Sequence, residues 1–436
     1  MIETNGRKRV LVFPGGTEIG LEYHRSLCRF RRVKLYGAAS VATDHGAFVY
    51  QRYSTEVPFV DTPGFISEFN DLAGRWQIDN VVPAHDSAAL ALSEAAGDID
   101  ALVLTSPVET WRVCRSKRMT YKRFKGVVRT PRVFGRLSDA ETWPVFMKPD
   151  VGQGSGGARM VKTAAEAEFF LEREPDLLVL EYLGGAEFTV DCFTDRFGSL
   201  LFAGPRERVM TSRGISTNTR AARNDLLVRM AERINDEIRF RGAWFFQARE
   251  DRQGQPALLE IGPRLAGGAG LWRNMGVNLP LLSLYDAWGE DVRIARNEGG
   301  LEMDRSLRNR FRSSLSYNHV YVDLDDCLIL DDRVNTQLAA FLFQCLNRGV
   351  GLHLLTRHSR NPRDTLRRFR LERLFDSVEH VPGGQAKSDR IAHRDSILID
   401  DSFAEREEVR STLGIPVFAP DAVESLITDC AGGREL

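Results

Sequence analysis

Val145-Phe146-Met147-Lys148-Pro149-Asp150-Val151-Gly152-Gln153-Gly154-Ser155-Gly156-Gly157 is the stretch on which the reading of this chain turns. A short apolar strand delivers a lysine at its end and meets a glycine-rich loop. Glycine accepts the backbone angles that let successive N–H groups close over anionic oxygens. Lys148 with Gly154, Ser155 and Gly156 is therefore a candidate phosphate cradle. Alone, such a loop is often a plain turn; the lysine just before it, on a strand, favours phosphate.

Downstream, Leu178-Val179-Leu180-Glu181-Tyr182-Leu183-Gly184-Gly185-Ala186-Glu187 offers an apolar wall for a base slot. Glu181 and the backbone after it are placed to read a base edge, and Glu187 to accept from ribose hydroxyls; an ordinary hairpin with exposed acids is the alternative. Phe245-Phe246-Gln247 and Leu258-Leu259-Glu260-Ile261-Gly262-Pro263-Arg264 read as adjacent strands, each ending in an oxygen donor, with an arginine added. Two such donors suit a magnesium ion that also holds phosphates.

This order of motifs resembles the ATP-grasp superfamily, in its carbamoyl-phosphate-synthase-like branch, over about residues 1–290. The resemblance implies that Lys117 and Lys148 are nucleotide lysines and that Glu181, Leu183 (through its backbone) and Glu187 contact adenosine. It makes Gln247 and Glu260 magnesium ligands and Arg264 the arginine that steadies the transferred phosphate or the substrate carboxylate. Arg206 and Arg208 fall on a substrate-side strand. The implied activity is ATP- and Mg2+-dependent activation of a small-molecule carboxylate as an acyl phosphate, then capture by an amine, in a protein compatible with a homodimer. Gly262 departs from the pattern, which has asparagine there as a further metal ligand.

Toward the N-terminus, short strands at 9–13, 33–37, 81–83 and 101–104 alternate with helical patterns, which implies a parallel sheet covered on both faces. Residues 57–60 suggest an edge strand, and Asp86 suggests a helix cap. The first block, 1–112, looks like the Rossmann-like pre-ATP-grasp domain; its Gly15-Gly16 turn, Glu18 and Asp86 sit where the acceptor is expected. The central block, 113–300, is α+β, with an amphipathic helix through Leu226, Met230 and Ile238 closed by Gly242. Residues 301–317, with Arg305, Arg308, Arg310 and Arg312, read as a linker or a solvated helix.

From residue 318 a second α/β alternation begins. Val320-Tyr321-Val322-Asp323-Leu324-Asp325 brings paired carboxylates to a strand end, i and i+2, on one side. Thr356 ends a second strand, Lys387 offers a cation, and Ile397-Leu398-Ile399-Asp400-Asp401 ends another strand in two acids. This order resembles the haloacid-dehalogenase (HAD) superfamily over residues 318–436, in a Rossmann-like form without room for a large cap. By that likeness Asp323 is the nucleophile, Asp325 the general acid/base, and Thr356 and Lys387 hold the phosphoryl group. Asp323, Asp325 (through its backbone) and Asp400 bind magnesium. The fold expectation is a multidomain α/β and α+β protein, and the function expectation a ligase with a fused phosphatase acting on a phosphorylated intermediate or product. A small-molecule kinase paired with a phosphatase, and a nucleotide-binding regulator, are the alternatives.

The bulk numbers narrow the class. A chain of 436 residues exceeds one hydrophobic core, and 59 basic against 60 acidic residues leave no field to draw nucleic acid. Its six cysteines form no CxxC pair, which argues against a metal framework and for a reduced, cytoplasmic setting. Neither a signal segment nor a membrane partner is expected, since apolar runs are short.

Overall fold

The computed structural model describes residues 6–152, 156–311 and 313–427, so Gln153, Gly154, Ser155 and Arg312 fall outside the described residues. The chain forms two compact units, 1–308 and 309–436. The blocks expected at 1–112 and 113–300 share one unit because their apolar residues share a core: Val10, Tyr23 and Leu27 pack with Phe193, Leu271, Trp272 and Leu284.

In the first unit, β1 (Lys8–Phe13), β2 (Val33–Ala38), β3 (Tyr53–Ser54), β4 (Asn80–Pro83) and β5 (Leu102–Val103) form a parallel sheet in the order β3-β2-β1-β4-β5. Helices α1 (Glu18–Leu27), α2 (Phe65–Arg75) and α3 (Asp86–Glu94) connect its strands. Residues 57–60 are not a strand; β3 takes the edge position, a few residues before Pro58. Asp86 is not the cap either. The His85 ring accepts from the Ser87 N–H, which leaves the carboxylate of Asp86, the first helical residue, free for another partner.

Helices α4 (Val108–Arg115) and α5 (Lys117–Arg123) lead into two antiparallel sheets. The smaller comprises β6 (Val133–Phe134), β7 (Val145–Lys148), β8 (Arg159–Val161) and β9 (Leu178–Glu181), with α6 (Ala164–Leu171) crossing between the last two. The larger contains β10 (Glu187–Thr194), β11 (Leu200–Ser212), β12 (Ile215–Ala221), β13 (Gly242–Glu250), β14 (Pro256–Gly262) and β15 (Glu302–Asp304), in the order β14-β13-β10-β11-β12-β15. The amphipathic helix α7 (Asp225–Glu237) buries Leu227, Met230 and Ile234 against this sheet. It stops at Ile238, whose backbone is extended; Gly242, with a φ of 72°, opens β13 and does not cap the helix. Short helices α8 (Gly270–Asn274) and α9 (Leu279–Ala287) complete the unit. The linker reading fails at its start: 302–304 is the edge strand β15, paired with β12.

The second unit is a parallel sheet of β16 (His319–Val322), β19 (Gly351–Thr356), β20 (Ser377–His380), β21 (Ser396–Ile399) and β22 (Val417–Phe418), with a small ribbon of β17 (Ile329–Leu330) and β18 (Arg333–Val334). Helices α10 (Thr336–Asn347), α11 (Pro362–Arg368) and α12 (Phe403–Leu413) link its strands. The order β20-β19-β16-β21-β22 puts the reversal of strand order beside β16, and ligand crevices form at the carboxyl ends of such strands. No described helix is long and apolar enough to cross a membrane.

Candidate functional site

Side chains of a strand alternate between faces, and β10 uses that alternation fully. Phe188, Val190 and Cys192 go into the core under α7, so Glu187, Thr189 and Asp191 share the opposite face. Register extends this face sideways. Arg206 of β11 pairs with Thr189, Thr189 with Gln247 of β13, and Gln247 with Glu260 of β14. Four polar side chains thus form one row across four strands, although three of them lie far apart in the chain.

Lys117, Lys148, Gly156, Glu181, Leu183, Glu187, Gln247 and Glu260 line one cleft of about 140 Å³, with Phe146 and Leu180 supplying apolar wall. Gly154 and Ser155 lie outside the described residues. Lys148 is buried; its Nζ donates to the Leu259 carbonyl at 3.2 Å, an oxygen that also accepts from Tyr121 at 2.9 Å. Lys117 Nζ donates to the Asp150 carbonyl at 3.2 Å. The Glu181 carboxylate does not face a base: it accepts from Arg129 at 2.8 Å and from the Arg132 N–H at 3.1 Å, so only its backbone remains for base reading. Glu187 is likewise engaged, 2.8 Å from Arg208 and 3.5 Å from Arg249.

Burial, opposed by Glu260 and reinforced by Lys117, lowers the Lys148 ammonium to about 8. A bound polyphosphate would hold that proton, so above pH ~8 binding must take one up, and affinity falls by up to about tenfold per pH unit. Calorimetric titration with a non-hydrolysable ATP analogue and Mg2+ should show constant affinity below about pH 7.5 and progressive weakening above about 8. Constant affinity to about pH 9.5 would refute this assignment.

A larger cavity, about 370 Å³, adjoins the cleft and shares Lys117, Gln247 and Glu260 with it. Its other walls bring in Thr17, Glu18, Asp86, Arg115, Arg206, Arg208, Arg264 and Arg305. Arg206 is almost fully buried and bonds Asp191 at 2.6 Å; the Trp272 indole N–H donates to the same carboxylate oxygen at 3.0 Å. Asp191→Asn leaves that guanidinium buried without its counter-charge and should cost about 3–5 kcal/mol, measured by urea unfolding. Arg208 Nε lies 2.8 Å from Glu187 but is not aligned for a hydrogen bond; its NH2 group donates to the Gly214 carbonyl at 2.8 Å. Arg264 is held in a two-pronged pair by Asp86, at 2.5 and 3.0 Å. Burial raises the Asp86 carboxyl, but the charge and hydrogen bonds of Arg264 outweigh it and hold the group below its ordinary range.

Gly262 sits on the face of this row, directly against Phe245. A Cβ added there would lie 2.3 Å from the Phe245 ring, and the Arg264 guanidinium lies over the same ring, 5.2 Å from its centre. An aromatic ring therefore occupies the space that a side chain at 262 would need. Gly262→Asn alone should overpack the site and cost about 1–3 kcal/mol by the same unfolding measurement.

In the second unit the strand β16 ends at Val322, so Asp323 and Asp325 both lie in the loop beyond it and strand alternation does not set their directions. Asp323 turns inward to Lys387, whose Nζ bonds it at 2.8 Å and Asp400 at 2.6 Å, all three buried. Burial raises the Asp323 carboxyl to about 6, opposed by Lys387 and assisted by Asp400. Asp325 is half exposed and is met by His358 Nδ1 at 2.8 Å, while Thr365 lies 2.9 Å from the other ring nitrogen. Thr356 is fully buried, and its hydroxyl accepts from the His358 N–H at 3.1 Å. Among the described residues, the acids gathered closely enough for a metal ion are Asp323, Asp400 and Asp401, within 4.8 Å. The Asp325 carboxylate is not among them.

The sequence reading missed Thr189, Asp191, Arg115, Arg305, Tyr121 and His358. Thr189 and Asp191 had a signal, the alternation that begins at Glu187; the others are joined to the sites by long-range contacts that no local pattern announces.

Residues 173–306 match a family model described as ATP-grasp in the biosynthetic pathway with Ter operon. None of the curated proteins matches the chain. Solved structures do. The biotin carboxylase domain of Hydrogenobacter thermophilus 2-oxoglutarate carboxylase, with MgADP, ADP and bicarbonate, is 17% identical at a TM-score of 0.56 over 68% of this chain and 73% of its own. An ADP complex of N5-carboxyaminoimidazole ribonucleotide synthetase is 13% identical at 0.57 over 69% and 81%. The L-amino acid ligase of Bacillus licheniformis is 18% identical at 0.50 over 65% and 75%. With the two antiparallel sheets, the cleft and the polar row in place, the first unit has an ATP-grasp-like fold.

Proposed function

We propose that the first unit is an ATP-dependent carboxylate–amine ligase and the second a HAD-type phosphatase. The observation that carries the first part is the row Arg206–Thr189–Gln247–Glu260, which runs from the cavity into the cleft that holds both lysines. Gln247 and Glu260, paired in register, offer two oxygen donors that would suit a magnesium ion, with Gly262 adding none; magnesium, when bound, would neutralise phosphate oxygens. Lys148 and Lys117 supply further positive charge at the nucleotide. A substrate carboxylate oxygen attacks the γ-phosphorus as the bond to the bridging oxygen of ADP breaks. An amine then attacks the acyl carbon, loses a proton and expels phosphate. Small-molecule ligases and ADP complexes among the similar structures support this reading.

In the second unit, the buried Lys387 between Asp323 and Asp400 supports a phosphoryl site. Asp323 would attack phosphorus, and Asp325, tied to His358, would protonate the leaving oxygen and then deprotonate the water that hydrolyses the aspartyl phosphate. The trio Asp323, Asp400 and Asp401 fits a magnesium ion, which would screen the phosphate charge.

The test is ADP formation with Mg-ATP and pooled small carboxylic acids and amines, with product masses read alongside. Acid-dependent ADP and a condensed product would establish the ligase. A phosphorylated product would favour the kinase–phosphatase pair. Nucleotide binding without acid-dependent ADP would instead favour a regulator, a reading that the filled space above Gly262 keeps in play.

A further inference from the structure

The cavity beside the nucleotide cleft is larger than one carboxylate requires, and its charge is uneven. Its lining includes Lys117, Arg115, Arg206, Arg208, Arg264 and Arg305, against Glu18, Asp86 and Glu260. The cations divide into two groups. Lys117, Arg206 and Arg208 lie near the row that ends at Glu260, where transfer would occur. Arg115, Arg264 and Arg305 line the cavity with the first turns of α1 and α3, represented by Thr17, Glu18 and Asp86.

Internal acids satisfy this second group unequally. Asp86 is shared: Arg264 takes both oxygens at hydrogen-bond distance, and Arg115 stands off at 3.8 Å. Arg305 follows β15 and reaches Glu18 at the start of α1; both are part-exposed, and Arg305 also donates to the Ser216 carbonyl at 3.3 Å. In the same lining, the Thr189 hydroxyl oxygen is 1% exposed at the residue level and has no hydrogen-bond partner. Arg115 also donates to the Ser87 hydroxyl at 3.5 Å, so both arginines are held by the protein. Six cations against three acids, two helix N-termini and the unpartnered hydroxyl on the neighbouring row still make a cavity that prefers an anion.

We propose that the acceptor carries two anionic groups: the carboxylate that is phosphorylated and a second, carboxylate or phosphate, held by Arg115 and Arg305. This rests on the ATP-grasp reading and narrows it to a substrate class. Glu18 occupies Arg305 in the free protein and competes with the substrate for it. A monocarboxylate leaves Arg115 and Arg305 in their present pairs and gains nothing from them. Arg264, locked by Asp86, frames the subsite and is not its main ligand.

The experiment is a calorimetric titration of the intact chain, saturated with Mg2+ and a non-hydrolysable ATP analogue. The probes are butyrate, glutarate and 3-phosphopropionate, matched in length. Both dianions are expected to bind at least about tenfold more tightly than butyrate, and the stronger of the two identifies the second group. Arg115→Gln and Arg305→Gln should each reduce that preference. Glu18→Gln should sharpen it, an outcome that a merely structural ion pair would not give. Equal binding of butyrate and the dianions, a preference untouched by both arginine variants, or weakening in Glu18→Gln would each overturn the proposal. Loss of affinity for the ATP analogue itself would mark a misfolded variant, and its absence from the parent would mark failure of the ATP reading instead.

Discussion

Asp323→Asn is expected to lower hydrolysis of small phosphate esters by on the order of 10⁴-fold or more, because the change removes the attacking oxygen while keeping the shape of the side chain. Lys387 shows why the substitution is clean. Its ammonium bridges Asp323 and Asp400, so the variant keeps one of the two charged contacts and the buried lysine is not stranded. The measurement is phosphate release from a generic aryl phosphate, with ADP formation by the same preparation as an internal control. Retention of more than about a tenth of the parent rate would exclude Asp323 as nucleophile. His358→Ala offers a graded comparison: if Asp325 moves the proton, losing its ring partner should shift the pH profile, whereas losing Asp323 lowers the rate at every pH.

Glu260→Gln should have the next largest effect, a fall of about 10²–10³-fold in acid-dependent ADP formation. Glu260 lines both the smaller cleft and the larger cavity and stands next to Gln247 in register. The next place on the same strand face adds no donor, since it is Gly262 under the ring of Phe245. Excess Mg2+ should restore part of the rate if metal affinity is what is lost. A fall that no Mg2+ concentration relieves would put Glu260 in another role, and an unchanged rate would remove it from the site.

What could be read in the sequence follows from the range of the interactions involved. Lys148 ends an apolar strand, while Gln247 and Glu260 follow apolar runs but stand inside β13 and β14, which continue to Glu250 and Gly262. The apolar run before each marks all three whatever lies elsewhere. Their alignment into one row with Thr189 and Arg206 depends on strand register, set by pairings between segments tens of residues apart. The same limit hid the partners. Glu181 looked like a base reader because nothing near it in the chain announces Arg129, and Arg264 looked free because Asp86 is 178 positions away. Errors of local reading have local causes. Acids favour the cap position, which makes Asp86 a natural candidate, yet the ring of His85 fills it. The basic segment after 300 looks like a linker because a three-residue edge strand has too few alternating positions to stand out from one.

That edge strand decides where the chain can be divided. β12 would end the large sheet with open backbone groups if β15 were missing, and exposed edges recruit other chains. A fragment cut at 300 to isolate the first unit would therefore present a sticky border and tend to self-associate, losing Arg305 as well. A fragment cut at 308 would keep β15, whose three residues leave only a short open edge, and should stay monodisperse.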